Sequence, residues 1–319
     1  IPERMKGILL TEFKNAYTFS SDIPVPKIKR DNEILIKVTV AGYCQSELLV
    51  QHGEFEAIMK HQDLPVIPSH ECAGIVVQIG AKVDNIKVRL WDRVGATFPK
   101  NGCGDCPDCR SKRPRYCGES VLCGVTGDGA AAEYMIADSQ WTVALPDTMS
   151  FEVGACLMCA GPTVYCGLKT ANLSPGETVA IVGAGGLGHI GVQFAKLRGL
   201  RVVCVDNREA PLRLVKGLKY SSDFALDATK GVEYALKTIG GDVDPTLMAT
   251  DSIPAHEYGL KLTKKHGTFV IIGQPTDPIP IHYDYLIFRN LTIKGSLLTD
   301  PETLREMVEL VAEKGLYFI

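Results

Sequence analysis

No apolar run in these 319 residues approaches the roughly eighteen that a membrane-spanning helix needs, so no such span is expected. There is no polybasic block and the formal net charge is only −3. That excludes the electrostatic footprint of a nucleic-acid binder or of a protein drawn to an anionic membrane surface. The N-terminus shows no secretory leader, so the expected location is the cytoplasm, and the sequons at Asn172 and Asn290 carry no weight. Internal repeats and low-complexity tracts are also lacking. What the chain has in quantity is cysteine: eleven, several of them clustered. Without a leader, that clustering points to a reducing compartment and a metal, not to disulfides. The length suits two domains, and 45% hydrophobic residues suffice for a sizeable core.

The most informative stretch is Thr178 to Asp206. A short apolar run, Val179 to Val182, reads as a strand buried on both faces. Gly183, Gly185 and Gly188 then follow in the pattern G-x-G-x-x-G. The first allows a tight turn, the second lets backbone approach a pyrophosphate, and the third lets helix and strand pack closely. Ile190, Val192, Phe194, Ala195 and Leu197 read as a helix whose N-terminus offers free N–H groups to phosphates. A second strand, Val202 to Val205, ends in Asp206, eighteen positions after Gly188. An acid there accepts hydrogen bonds from a ribose diol and repels a 2′-phosphate, so NAD is expected over NADP. Arg208 is the one nearby residue that argues otherwise, and Asp206 is expected to outweigh it.

The first 150 residues are different, with β-branched runs broken by Pro and Gly, as in Glu33 to Ala41 and Gly74 to Gly80. They read as an irregular, mostly β domain. Cys44 comes just after one strand, and His70 and Glu71 just before another. On spacing alone they read more readily as a core thiol and an ordinary histidine than as metal ligands. Residues 101–117 speak more clearly: Cys103, Cys106, Cys109 and Cys117 run C-x2-C-x2-C-x7-C through a loop without periodicity. Four thiolates there match a closed structural zinc site that orders a loop unable to build its own core. The iron–sulfur alternative expects a gap of three residues, with Pro after the last Cys. Here the gap is seven and Gly118 follows.

Cys156, Cys159 and Cys166 lie in a junction helix, and spacing does not say which of them binds metal. After Asp206, helix and strand alternate down to Gly295. Asp300 then caps a final helix with Pro301 at its first position and Leu304, Met307, Val308 and Val311 on one face.

Taken together, AGYCQSE (41–47), SHECAG (69–74), the four-cysteine loop, CAGPTVYCGLK (159–169) and VGAGGLG (182–188) with Asp206 form a specific pattern. The chain resembles the zinc-dependent alcohol dehydrogenases of the medium-chain dehydrogenase/reductase family over essentially its whole length. The resemblance implies an α/β protein in which a Rossmann doubly wound parallel sheet is inserted in a mostly β, partly open barrel catalytic domain. The expected divisions are 1–160 (catalytic, with the zinc loop 101–117), 161–295 (NAD-binding) and 296–319 (the start of a return to the catalytic domain). The active site is expected in the cleft between the two domains.

The resemblance further implies two zincs per chain and NAD. Cys44, His70 and Cys159 are expected to hold the catalytic zinc with Glu71 beside it, leaving Cys156 and Cys166, like Cys72, Cys123 and Cys204, as buried thiols. Ser46 matches the hydroxyl that takes the alcohol proton, and Glu47 stands where the family usually has the Asp that orients the ligand histidine. Gly183, Gly185, Gly186, Leu187, Gly188, Asp206, Arg208 and Thr163 are the expected cofactor contacts. Phe55 and Phe98 replace the Trp of ethanol-preferring members, which implies primary alcohols or aldehydes with medium or aromatic groups. Three residues depart from the pattern: Gln45 for a His or Arg near the pyrophosphate, Leu49 for the His that passes the proton outward, and Ser69 for a Gly. His52 is the nearest candidate to replace the missing relay member. Family members also usually run on past the equivalent of Ile319.

The expected activity is hydride transfer between NAD(H) and a primary alcohol or aldehyde, in a homo-oligomer, tetramer favoured over dimer. The alternatives are a zinc-independent enone or quinone reductase of the same superfamily, against which the ligand set argues, and a non-catalytic cofactor-binding protein.

Overall fold

The segment Glu33–Ala41 buries its first four residues and then alternates outward and inward, as a strand covered on both faces at one end does. It lies at the heart of a five-stranded antiparallel sheet in the order Tyr134–Asp138, Glu33–Ala41, Cys72–Ile79, Arg93–Ala96, Thr142–Ala144. Ile34, Ile36, Val76, Val94 and Met135 fill one face. Leu35, Ile67, Tyr134 and Ile136 fill the other. Each such side chain, taken fully from water, contributes about 1.5–3 kcal/mol. A one-residue slip would exchange the two sets, so the register is firmly set. In that register Ala41 is the partner of Cys72.

The computed structural model describes residues 1–54, 64–84, 86–316 and 318. It divides into two compact units, 1–159 with 300–314, and 160–299 with 315–319. The final helix, Pro301–Lys314, belongs to the first. Asp300 accepts the backbone N–H of Thr303 at 2.9 Å as its cap, and Leu304, Met307, Val308 and Val311 are buried.

The second unit is built on six parallel strands. Across the sheet they run Phe224–Asp227, Arg201–Asp206, Thr178–Val182, Thr246–Met248, Thr268–Ile271, Thr292–Gly295. By chain order this is 3-2-1-4-5-6, the doubly wound arrangement. The apolar run Val179–Val182 is buried throughout, as expected for a central parallel strand. The helix Gly186–Leu197 buries Ile190, Val192, Phe194 and Ala195, and Phe194 meets Tyr165 edge-on at 5.0 Å. Order reverses beside Thr178–Val182, and the glycine turn leaves the carboxyl end of that strand, where such sheets take their ligands.

Candidate active site

The strand pairing explains how distant residues meet. Ala41 and Cys72 are opposite each other at the end of their strands, so Cys44 three residues on and His70 two residues back emerge together. Cys44 is the residue before the helix Gln45–His52, and Cys159 closes the first unit after the helix Phe151–Leu157. The ligand atoms of Cys44, His70, Glu71 and Cys159 all lie within 4.8 Å of one another. Cys44 Sγ is 3.8 Å from Cys159 Sγ, and His70 Nε2 is 3.1 Å from the latter.

A shell of hydrogen bonds fixes this group. His70 Nδ1 faces Glu47 Oε1 at 2.6 Å, both side chains buried. Glu47 Oε2 accepts the backbone N–H of Cys44 at 2.6 Å, as the acid of a capping box does. Tyr17 donates its hydroxyl to the Glu47 carbonyl at 2.8 Å, a contact that no motif announces. Gly42 is needed for close approach: a Cβ there would lie 1.9 Å from Glu71 Oε2. Ser69, in place of the usual Gly, adopts a left-handed φ of 75° and donates its hydroxyl to the Gly42 carbonyl at 2.8 Å.

The charges are those of a buried donor set. The Cys159 thiol beside it, outweighing burial and helped by His70, holds Cys44 down at about 3. Burial opposes a charge on His70, but its bonds to Cys44 and Glu47 lift it to about 10. Burial, with Cys44 and Glu47 nearby, raises Glu71 to about 8. A divalent cation among these groups would remove the cost of crowding anions out of water. Two sulfurs and an imidazole with a carboxylate beyond them suit zinc, and the histidine's second nitrogen is already held by an acid.

The loop cysteines answer the same test. Sulfurs placed tetrahedrally about 2.3 Å from a zinc stand about 3.8 Å apart. Cys103 Sγ lies 3.6 Å from Cys117 Sγ and 4.0 Å from Cys109 Sγ, and all four sulfurs fall within 4.8 Å of one another. Backbone N–H groups of Cys106 and Cys103 point at the sulfurs of Cys103 and Cys117, as they do toward thiolates.

In the second unit Gly183 takes a φ of 99°, and a Cβ on Gly188 would lie 1.7 Å from the Gly183 carbonyl oxygen. Among the described residues, no side chain caps the helix beginning at Gly186, and a Cβ on Gly186 would meet nothing within 4 Å. Such an open helix N-terminus suits a diphosphate. Leu187 is partly buried in the same first turn. Asp206 ends the neighbouring strand Arg201–Asp206. Thr163 lies, partly buried, on the helix Ala160–Thr170.

Of the other expected residues, Phe98 meets the His70 ring edge-on at 5.5 Å. Ser46 Oγ stands 3.8 Å from Cys44 Sγ. Leu49 and His52 lie along the same helix, His52 half-exposed and 3.8 Å from Glu54. Phe55 lies outside the described residues. Cys72, Cys123 and Cys204 are buried, whereas Cys156 and Cys166 are only partly so, a correction to their reading as buried thiols.

A mostly antiparallel unit with two thiolate-rich clusters and a doubly wound unit with a dinucleotide turn define a zinc- and nicotinamide-dependent class of oxidoreductase. Residues 30–147 match the alcohol dehydrogenase GroES-like domain family, and residues 186–313 the zinc-binding dehydrogenase family. An alcohol dehydrogenase of Geobacillus stearothermophilus is 34% identical over 311 residues, covering 97% of this chain and 89% of that protein. Among solved structures, the alcohol dehydrogenase of Aeropyrum pernix superposes with a TM-score of 0.86 at 26% identity, covering 97% of this chain and 90% of that one. Acetophenone reductase from Geotrichum candidum, in complex with NAD, gives 0.86 at 26% identity, covering 100% and 90%. The chain belongs to the zinc-dependent alcohol dehydrogenases of the medium-chain dehydrogenase/reductase family. It is an NAD-dependent oxidoreductase with zinc as its metal.

Proposed function

We propose that this enzyme interconverts primary alcohols and aldehydes carrying medium-length or aromatic groups, with Cys44, His70 and Cys159 as the ligands of the reacting centre. The observation that carries this is the convergence of those three donor atoms with Glu71, from segments far apart in the chain. When bound, zinc supplies a Lewis acid and NAD a hydride carrier. The chain's own part is to orient, bind and move a proton. Glu47 fixes the ring of His70 through Nδ1. Ser46 takes the proton of the substrate hydroxyl and hands its own onward. Phe98, edge-on to His70, lines the place of the substrate's carbon chain. Gly183, Gly185, Gly186, Leu187, Gly188, Asp206 and Thr163 receive the dinucleotide.

Cysteines that form no disulfide among the described residues suit the cytoplasm. A homotetramer is the proposed assembly. It is supported by the open edge strand Thr292–Gly295 and by exposed Tyr283, Leu286, Ile287 and Phe288 just before it in the chain. Light scattering of the purified protein tests the assembly. NADH consumption by the zinc-replete protein, over a panel of aldehydes, tests the activity. No turnover with any aldehyde or alcohol would remove the proposal.

A further inference from the structure

Asp206 does not offer a free carboxylate. Its side chain is 4% exposed, and four N–H groups already occupy it. Oδ1 accepts the backbone N–H and the Nε–H of Arg208, at 2.9 and 3.0 Å. Oδ2 accepts the backbone N–H of Ala184 at 2.8 Å and Nη2 of Arg208 at 3.1 Å. A carboxylate has about four acceptor positions, so a ribose diol must displace a bond that is already made. Arg208 is in the opposite condition, with a side chain 64% exposed and two of its N–H directions spent on Asp206. Its Nη2 lies 3.6 Å from where a Cβ on Gly185 would stand, so the guanidinium spans the gap from the acid to the phosphate turn.

We propose that Arg208, held in place by Asp206, is the cofactor-discriminating residue of this enzyme and seats a 2′-phosphate, so that NADP(H) is bound alongside NAD(H). The proposal rests on reading Gly183 to Gly188 as the dinucleotide site. An acid expected from sequence to repel the phosphate is instead neutralised by a bidentate partner. The phosphate dianion therefore meets a fork of outward N–H donors rather than a bare carboxylate. Arginine–phosphate hydrogen bonds are among the strongest that side chains make. The diol of NAD gains less than it would from an unpaired acid, since each bond it makes to Asp206 costs one to Arg208 or to the backbone N–H of Ala184. Asp206 thus acts as an anchor for the residue that discriminates.

The test is fluorescence titration of the zinc-replete enzyme with NADH and with NADPH, in the absence of substrate. In the wild type, NADPH is expected to bind within about thirtyfold of NADH, and a wider gap overturns the proposal. Arg208→Ala is expected to weaken NADPH by at least about tenfold while NADH stays within about threefold. A smaller loss, or an equal loss for both nucleotides, overturns it. Arg208→Lys keeps the charge and should recover part of the NADPH affinity; no recovery would overturn the assignment to a cationic seat. Arg208 is exposed, so a melting curve suffices to show that each variant is folded. If NADH itself fails to bind the wild type, the dinucleotide reading falls; if only NADPH fails, this inference alone does.

Discussion

Glu47 and His70 are joined by a 2.6 Å contact inside the first unit, and the same carboxylate holds the backbone N–H of Cys44. One side chain therefore orients one proposed metal ligand, His70, and caps the helix that begins at another, Cys44. Glu47→Ala should weaken retention of the catalytic zinc by about 10–100-fold and cost about 1 kcal/mol in lost capping. Chelator competition and thermal melts measure the two effects separately. A variant that keeps its zinc as tightly as wild type would show that Glu47 is a cap and nothing more.

Metal content provides a second check. Elemental analysis of the purified protein should give two zincs per chain, one for each cluster. Cys44→Ala should lose one and leave a folded protein that still binds NADH. Cys103→Ala should lose the other and lower the melting temperature, since the loop around it has no core of its own. One zinc in the wild type would rule out this division of labour.

Stability in acid should depend on Glu33. Burial works against its charge, but N–H groups of Lys29, Asn101 and Arg30 outweigh that and hold its carboxyl below the usual value. A depressed folded value means that the stabilisation is complete above the unfolded pKa, about 4.3, and is lost as pH falls through the folded one. Glu33→Gln should therefore cost about 2 kcal/mol at neutral pH, with the difference closing below pH 4. Urea melts at several pH values measure it, and a gap that widens in acid would contradict the sign.

Proton transfer gives a further test of the proposed site. Leu49, on the helix Gln45–His52, has no atom that can accept a proton from Ser46. Ser46→Ala should abolish most activity, while His52→Gln should cost under about tenfold, against the roughly 10²–10⁴ of a true acid–base group. Leu49→His should raise alcohol oxidation more near neutral pH than in alkali, where hydroxide is at hand. A hundredfold loss in His52→Gln, rescued by imidazole, would make His52 the outer member of the relay.

Local pattern and long-range structure contribute unequally to what can be read from this sequence. The turn at Gly183 and the cysteines at 103–117 are local: their spacing states their geometry, because a tight turn or a small metal loop needs only its own residues. Cys44, His70 and Cys159 are not. Cys44 and His70 meet through the antiparallel register that sets Ala41 against Cys72, and Cys159 arrives after the helix Phe151–Leu157; no local period encodes either, so only resemblance points to the trio. Tyr17, which braces Glu47 from thirty residues away, left no sequence signal at all. The pairing of Arg208 with Asp206 was equally hidden, because their spacing is compatible with either side chain turning outward.

That same register would tie the proposed metal centre to correct strand alignment. Shifting Glu33–Ala41 against Cys72–Ile79 by one residue would carry Cys44 away from His70 and turn alternate side chains to the wrong face. Such a chain could be nearly as compact and still hold the four loop cysteines together. It would forfeit the metal proposed for Cys44, His70 and Cys159, and with it the free energy that binding would add to the correct state alone. If Cys44, His70 and Cys159 take up zinc as proposed, that uptake would separate aligned from misaligned copies before any substrate arrives.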